Sequence, residues 1–177
     1  MAQITPCKPR AGSPFATMKG APGRLESVTL GQNFTALVDY AHSPDAVVNV
    51  LEAVREFTTG RVIAVLGCGG DRDASKRPRM GSALSSNSDI AIYTSDNPRS
   101  ENPESILQEM VGSTSVNQPS AVIADRAEAI TYAVSLAAPG DTVIILGKGH
   151  ESGQEVAGVV TPFDDRIQLA EAIEAKK

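Results

Sequence analysis

The stretch Arg61-Val-Ile-Ala-Val-Leu-Gly-Cys-Gly-Gly-Asp-Arg-Asp73 decides the fold class. Its first half, residues 61–66, is a continuous apolar and mainly β-branched run, which is typical of a strand buried on both faces of a parallel sheet. Its second half is a glycine-rich loop. Parallel sheets bind ligands beyond the carboxyl ends of their strands, so this loop is the first candidate for a binding site.

Similar apolar runs on both sides predict the other strands of this sheet. The runs lie at residues 23–30, 34–40, 90–94, 121–124 and 142–146. The first two are joined by Gly31-Gln32-Asn33 and fit either a hairpin or two successive strands.

Amphipathic segments alternate with these strands and predict helices. They begin near Pro44, Arg77, Pro103, Asp125 and Asp164. Ser43, Asp125 and Asp164 are typical N-caps, and Asp165 is interpreted in the same way. Strands that alternate with helices imply right-handed crossovers. The predicted fold class is therefore α/β, a Rossmann-like, mostly parallel sheet flanked by helices.

Length and composition fit one soluble domain. The chain has 177 residues, of which 41% are hydrophobic and 21% charged, with a net charge of -5. Without a Lys/Arg run or many aromatic residues, no nucleic-acid partner is expected, and strand-sized apolar runs predict no membrane partner.

We interpret residues 1–20 as a flexible lead, native or not, rather than a secretory signal, so the expected location is cytoplasmic. The domain proper is placed at residues 21–177.

Neither a disulfide nor a metal site is expected. Cys7 and Cys68 lie far apart in the sequence and form no CxxC pair. The two histidines, His42 and His150, are also distant from each other, which argues against zinc.

Two glycine loops approach phosphate-binding motifs without matching them. Gly67 and Gly69 fit the start of GxGxxG, but Arg72 occupies the third glycine position. The segment Gly147-Lys148-Gly149 lacks both the earlier glycine of a P-loop and the Ser or Thr that follows its lysine. Taken alone, each loop is more plainly a tight turn after a buried strand.

The segment Ser95-Asp96-Asn97-Pro98-Arg99 is a candidate site for an amino-acid head group. Arg99 can bind a carboxylate through two parallel hydrogen bonds, and Asn97 can both donate and accept. An Asx-Pro turn with a solvated arginine fits the same residues.

Two further segments beyond strand ends carry polar groups. In residues 147–151, Glu151 can receive an ammonium, and His150 can relay protons or stack, although a structural hydrogen bond is the favoured role for this histidine. Residues 39–45 meet a helix N-terminus that can hold a ribose or a phosphate, although plain capping by Ser43 with His42 at the surface is somewhat favoured on local grounds.

Several segments, taken in order, resemble one family. The segments are Pro22–Glu26, Asp39–Asp45, Gly67–Pro78, Asp96–Arg99, Gly147–Glu151 and Phe163–Arg166. Their order and spacing are similar to the C-terminal domain of the Mur ligases that add the third peptide residue to UDP-N-acetylmuramoyl-L-alanyl-D-glutamate. The resemblance covers residues 21–177.

The resemblance implies a binding site for meso-diaminopimelate, because Asp-Asn-Pro-Arg marks the family members that add this amino acid rather than L-lysine. The implied binding residues are Arg72, Asp96, Asn97, Pro98, Arg99, Gly147 and Glu151. Arg99 and Arg72 suit the second carboxylate, and lysine would leave a buried arginine unpaired. The implied nucleotide contacts are Arg24, Asp39, Tyr40 and His42. No catalytic residue and no metal ligand is assigned.

The reaction that the resemblance implies is amide-bond formation. ATP converts the D-glutamate carboxylate into an acyl phosphate, and the diaminopimelate amine displaces phosphate. In the family the P-loop, the magnesium ligands and a modified lysine belong to a central domain, and the UDP-sugar is held by an N-terminal domain. We therefore expect ATP, Mg²⁺ and the UDP-MurNAc-dipeptide to bind only in the full-length enzyme. The isolated chain should bind no cofactor tightly and ligate nothing, since its role is to orient the amine.

Three other interpretations stay open at this point. A lysine-adding homologue conflicts with Arg99. A free-standing amino-acid-binding module is compatible with the missing P-loop. A nicotinamide-dependent oxidoreductase conflicts with Arg72 at the third glycine position.

Overall fold

Six strands form the central sheet of the computed structural model, which describes residues 23–177. They are β1 (Glu26–Ser27), β2 (Thr35–Asp39), β3 (Val62–Cys68), β4 (Ile90–Ser95), β5 (Ala121–Val122) and β6 (Thr142–Leu146). The order is β1-β2-β6-β3-β4-β5, with β1 antiparallel and all other pairs parallel. The Rossmann-like prediction is confirmed. The predicted lead at residues 1–20 lies outside the described residues.

Five helices cover the two faces of this sheet. They are α1 (Pro44–Phe57), α2 (Arg77–Asn87), α3 (Pro103–Val111), α4 (Arg126–Leu136) and α5 (Asp165–Lys176). Helices α1 to α3 pack on one face, and α4 and α5 pack on the other. Along β3, Leu66 faces the first layer and Val65 the second, which explains why this strand is apolar throughout. Within residues 23–177, no helix has the length and apolar character needed to cross a membrane.

Three of the predicted N-caps are confirmed. Backbone amides are accepted by Ser43 Oγ at α1, by the Asp125 carboxylate at α4 and by the Asp164 carboxylate at α5. The prediction that Asp165 also caps is wrong. Its side chain is fully buried and forms an ion pair with Arg126, because it points between α4 and α5 rather than back towards the amides of its own helix.

Two predicted strands are shorter than their apolar runs, and one hairpin was not predicted. The strand expected at residues 23–30 is reduced to Glu26–Ser27, after Leu25 with a positive φ of 42°. The strand expected at residues 121–124 has two residues. The additional hairpin consists of β7 (Gly153–Val156) and β8 (Val159–Pro162), which turn through Ala157 and Gly158, both with positive φ.

Candidate functional site

A cleft of about 430 Å³ lies at the carboxyl edge of the sheet, between the loops that follow β2, β3, β4 and β6. The predicted site residues that line it are Tyr40, His42, Arg72, Asp96, Asn97, Arg99, Gly147 and Glu151. Three predicted residues, Arg24, Asp39 and Pro98, are not part of the lining. The volume is within the usual range for small-molecule sites.

The glycines of the β3 loop are required by close packing. A Cβ at Gly67 would lie 2.6 Å from the Ser95 carbonyl carbon, and a Cβ at Gly70 would overlap the Pro98 carbonyl oxygen. The Gly70 amide donates to the Asn97 carbonyl over 2.9 Å. The missing side chains therefore let the loops after β3 and β4 touch, which is why a GxG pattern occurs here without a dinucleotide fingerprint.

Two arginines approach the cleft near Gly69. Arg99 Nη1 donates to the Gly70 carbonyl over 2.8 Å, and Arg99 Nε lies 3.6 Å from Glu155 Oε2. Arg72 is exposed and donates only to the Asp71 carbonyl over 3.3 Å. Arg99 is thus held in place by the loops, whereas Arg72 keeps most of its donors for a ligand.

The hairpin β7–β8 supports the loop that contains Arg99. The Arg99 amide donates to the Glu155 carbonyl over 3.0 Å, and the Ala157 amide donates to the Arg99 carbonyl. Gln154 Nε2 donates to the Asp96 carbonyl over 2.8 Å. This backbone pairing holds Arg99 in the left-handed region, at a φ of 53°.

A buried lysine organises the opposite side of the cleft. Lys148 is fully buried, and its Nζ donates to Asn97 Oδ1 over 2.9 Å and to Glu151 Oε2 over 3.2 Å. Asn97 Nδ2 donates to the same Glu151 oxygen over 2.9 Å. The Glu151 carboxylate is therefore oriented by two neighbours. A lysine between two glycines after a buried strand was the only sequence signal for this role.

Asp96 is a buried carboxyl in the lining of the cleft. Burial raises its pKa above the ordinary value of aspartic acid, and Glu151 and Asp165 act in the same direction. The positive charges of Arg126 and Lys148 oppose this shift without cancelling it. Burial thus disfavours the charged form of Asp96, and a ligand ammonium would favour the carboxylate.

We expect Asp96→Asn to stabilise the unliganded chain at pH 7 by about 1–2 kcal/mol, the scale of an imperfectly satisfied buried polar group. A carboxyl with a raised pKa adds stability below its unfolded-state pKa, and this stability is lost as pH rises through the raised value. The gain from Asp96→Asn should therefore shrink as pH falls towards 4. Urea unfolding of both proteins at pH 7 and at pH 4 measures the gain in the free energy of unfolding. A gain that is independent of pH would contradict a raised pKa for Asp96.

The residues with implied nucleotide contacts lie at the end of β2. The Asp39 carboxylate accepts from the Leu25 and Ala41 amides, each over 2.8 Å, so it orders the loop. The Tyr40 ring lies 4.6 Å from that of His42 and 5.5 Å from that of His150. Arg24 is exposed.

His150 and Cys68 also lie beside the cleft loops. The structural hydrogen bond that we favoured for the His150 ring is not formed within residues 23–177, where the ring packs against Tyr40 instead. Burial raises the pKa of the Cys68 thiol to about 12, so at neutral pH it is a packing group of the cleft wall. Within the same residues, no group of three or more His, Cys, Asp or Glu side chains is arranged to hold a metal ion.

Comparison with known proteins shows which family has this arrangement. The family model for the glutamate ligase domain of Mur ligases matches residues 23–149. The chain belongs to the Mur ligase family. Over 168 residues it is 55% identical to the UDP-N-acetylmuramoyl-L-alanyl-D-glutamate–2,6-diaminopimelate ligase of Streptomyces coelicolor, covering 92% of this chain and 33% of that protein.

Solved structures of Mur ligase relatives show the same fold. A UDP-N-acetylmuramoyl-L-alanyl-D-glutamate–2,6-diaminopimelate ligase matches with a TM-score of 0.82 and 42% identity, over 89% of this chain and 32% of that one. A Yersinia pestis folylpolyglutamate synthase/dihydrofolate synthase, solved with AMPPNP and a Mn ion, matches with a TM-score of 0.56 and 25% identity, over 74% and 29% of the two chains. The chain thus spans about a third of the length of the relatives it matches.

Proposed function

We propose that residues 21–177 form the amino-acid-binding domain of a ligase that adds meso-diaminopimelate to UDP-MurNAc-L-alanyl-D-glutamate in peptidoglycan biosynthesis. The observation that carries this proposal is the convergence of Arg72, Asn97, Arg99 and Glu151 in one cleft from three separate loops. The names of the relatives support the same reaction.

The charges in the cleft are arranged to suit an amino acid with a carboxylate at each end. Arg72 and Arg99 both lie beside Gly69, where a Cβ would be 2.9 Å from Arg99 Nη1 and 3.8 Å from Arg72 Cγ. Asp96 and Glu151 lie beside the loop that begins at Gly147. Meso-diaminopimelate can place one carboxylate at the arginines and the adjoining ammonium at the carboxylates. L-lysine has no second carboxylate, so Arg72 would keep its donors towards solvent and Arg99 would keep only its contacts with the Gly70 carbonyl and Glu155.

ATP, Mg²⁺ and the UDP-MurNAc-dipeptide are assigned to the whole enzyme. The Mn ion and AMPPNP in the folylpolyglutamate synthase support a nucleotide and a divalent metal as partners of the whole enzyme. In this chain, Arg24 and the loop from Asp39 to His42 are the residues that we propose face the nucleotide. Its contribution to the reaction is then to hold the attacking amine near the acyl phosphate, a gain in proximity rather than bond activation.

We expect the isolated chain to bind meso-diaminopimelate weakly, and to prefer it over L-lysine by about tenfold or more, because one charge-assisted hydrogen bond contributes about 1.5–3 kcal/mol. Isothermal titration calorimetry with both ligands measures the ratio. Equal affinity, or no binding of either amino acid, would contradict the proposed specificity.

A further inference from the structure

Arg126 is a fully buried arginine that bridges two strands of the site. It is the first residue of α4, and its Nε and Nη2 donate to the two Asp165 carboxylate oxygens over 2.8 and 2.7 Å. Its Nη1 donates to the Ser95 carbonyl over 3.0 Å, and its Nη2 also donates to the Leu146 carbonyl over 2.9 Å. These carbonyls directly precede Asp96 and Gly147 in the chain.

The position of Arg126 is unfavourable for a side chain that only fills space. A positive charge in the first turn of a helix is opposed by the helix dipole, and a buried charge loses its hydration. The Asp165 carboxylate compensates the charge but does not account for the two carbonyl contacts. A pair of apolar residues would fill the same space without the desolvation penalty.

The two carbonyls belong to strands that share no hydrogen bonds. In the sheet order, β3 lies between β6 and β4, so no backbone ladder sets the distance from β4 to β6. The fit between the two loops is nonetheless tight, since a Cβ at Gly147 would lie 2.8 Å from Asp96 Oδ2. Arg126 contacts the last residue of both strands, and the hydrogen bonds of Asn97 with Lys148 and Glu151 join the loops beyond them.

We propose that Arg126 is a positioning residue that sets the spacing between the Asp96–Arg99 loop and the Gly147–Glu151 loop, and through it the preference for meso-diaminopimelate. Asp165 keeps the guanidinium in the orientation that reaches both carbonyls. This inference rests on the proposed function, because the ligand whose fit is set is the one proposed above.

A second arginine–aspartate ion pair at the opposite edge of the same sheet provides a control for location, with an arginine side chain that is 44% exposed rather than fully buried. Arg61 Nη2 donates to Asp141 Oδ2 over 2.7 Å and to the Leu136 carbonyl over 2.9 Å. Asp141 is buried and directly precedes β6. Replacing either arginine by lysine removes a forked contact and keeps the charge, but only Arg126 is at the edge that contains the cleft.

The first test uses NMR to measure amide hydrogen exchange in the unliganded Arg126→Lys and Arg61→Lys variants. At the cleft edge, the Gly147 amide donates to the Asp39 carbonyl and the Gly70 amide to the Asn97 carbonyl. At the opposite edge, the Gly60 amide donates to the Gly140 carbonyl. We expect Arg126→Lys to speed amide exchange at Gly147 and Gly70 by about tenfold more than at Gly60. We expect Arg61→Lys to speed exchange at Gly60 more than at Gly147 and Gly70.

The second test measures binding of meso-diaminopimelate and L-lysine to the same variants by calorimetry. Arg126→Lys should weaken meso-diaminopimelate by about tenfold or more and reduce its advantage over L-lysine, since small misplacements of binding groups are costly. Arg61→Lys should change neither value. If the Arg126→Lys variant does not fold, amide exchange and ligand binding are measured on Asp165→Asn instead, because Asp165 orients the Arg126 guanidinium.

The outcomes separate this inference from the proposed function. If the unmodified chain shows no preference for meso-diaminopimelate, the proposed function fails, and the exchange pattern still decides whether Arg126 holds the two loops. Two results would overturn the inference and show that Arg126 is a general core residue. One is a preference for meso-diaminopimelate that Arg126→Lys retains. The other is an equal increase of amide exchange at the two edges in both lysine variants.

Discussion

Replacing Arg99 by methionine is expected to weaken the binding of meso-diaminopimelate by about tenfold or more, because a charge-assisted hydrogen bond contributes about 1.5–3 kcal/mol. Methionine keeps most of the stem of the side chain and removes the guanidinium, which can pair with the second carboxylate and which also contacts the Gly70 carbonyl and Glu155. The affinity for L-lysine, which has no such carboxylate, should change little. The substituted chain should therefore bind both amino acids about equally in calorimetry.

Arg79 provides the control for this substitution. It is an exposed arginine of α2 and is not part of the cleft lining. Arg79→Met removes the same charge from the domain, so it separates a general electrostatic effect from a specific contact. If Arg79→Met reduces the preference as much as Arg99→Met does, or if Arg99→Met leaves it unchanged, the assigned role of Arg99 is wrong.

Replacing Gly70 by alanine is expected to lower the free energy of unfolding by about 1–3 kcal/mol, the usual cost of overpacking, and to abolish measurable meso-diaminopimelate binding. The added methyl group would overlap the Pro98 carbonyl oxygen, so the loops after β3 and β4 must separate. That separation moves Arg99 away from Gly70, whose carbonyl it contacts over 2.8 Å. Urea unfolding and calorimetry on the same sample measure both losses.

Gly153→Ala provides the comparison for Gly70→Ala. Its added methyl group would lie 3.1 Å from Val160 Cγ1, a side-chain atom of an exposed residue that can shift. We therefore expect a small loss of stability and normal binding. A binding loss as large as that of Gly70→Ala would indicate that any added methyl group near these loops is harmful, rather than the specific approach of two backbones.

Most of the fold could be predicted from the sequence because its apolar runs are long and its caps are standard. Residues 61–66 needed burial on both faces, and Ser43, Asp125 and Asp164 marked helix starts that the structure confirms. The hairpin β7–β8 was missed because three of its four β8 residues are exposed Val and Thr without a buried partner face, and its turn is Ala157-Gly158 rather than a typical Asn-Gly.

The candidate site was predictable only in part, because its geometry depends on residues distant in the chain. Strand-end loops identify where polar side chains gather, and eight of the eleven predicted residues do line the cleft. The role of Lys148 depends on burial and on its contact with Asn97, which is 51 positions away in the chain. The role of Arg126 depends on burial and on its contacts with Ser95 and Asp165, which are 31 and 39 positions away. Local patterns contain no information on such pairs, so Asp165 was interpreted as a cap.

The strand order also determines how the domain can form during synthesis. Strand β6 lies between β2 and β3, although its first residue, Thr142, is paired with Val62, which comes 80 positions earlier in the chain. A nascent chain that has released β2, β3 and β4 but not residues 142–146 therefore has two apolar strands with unpaired edges, the kind of surface that favours aggregation. The sheet closes, and the loops that form the cleft meet, only once residues 142–146 have left the ribosome. Premature termination or slow translation in that region should consequently yield insoluble chains rather than partly active ones.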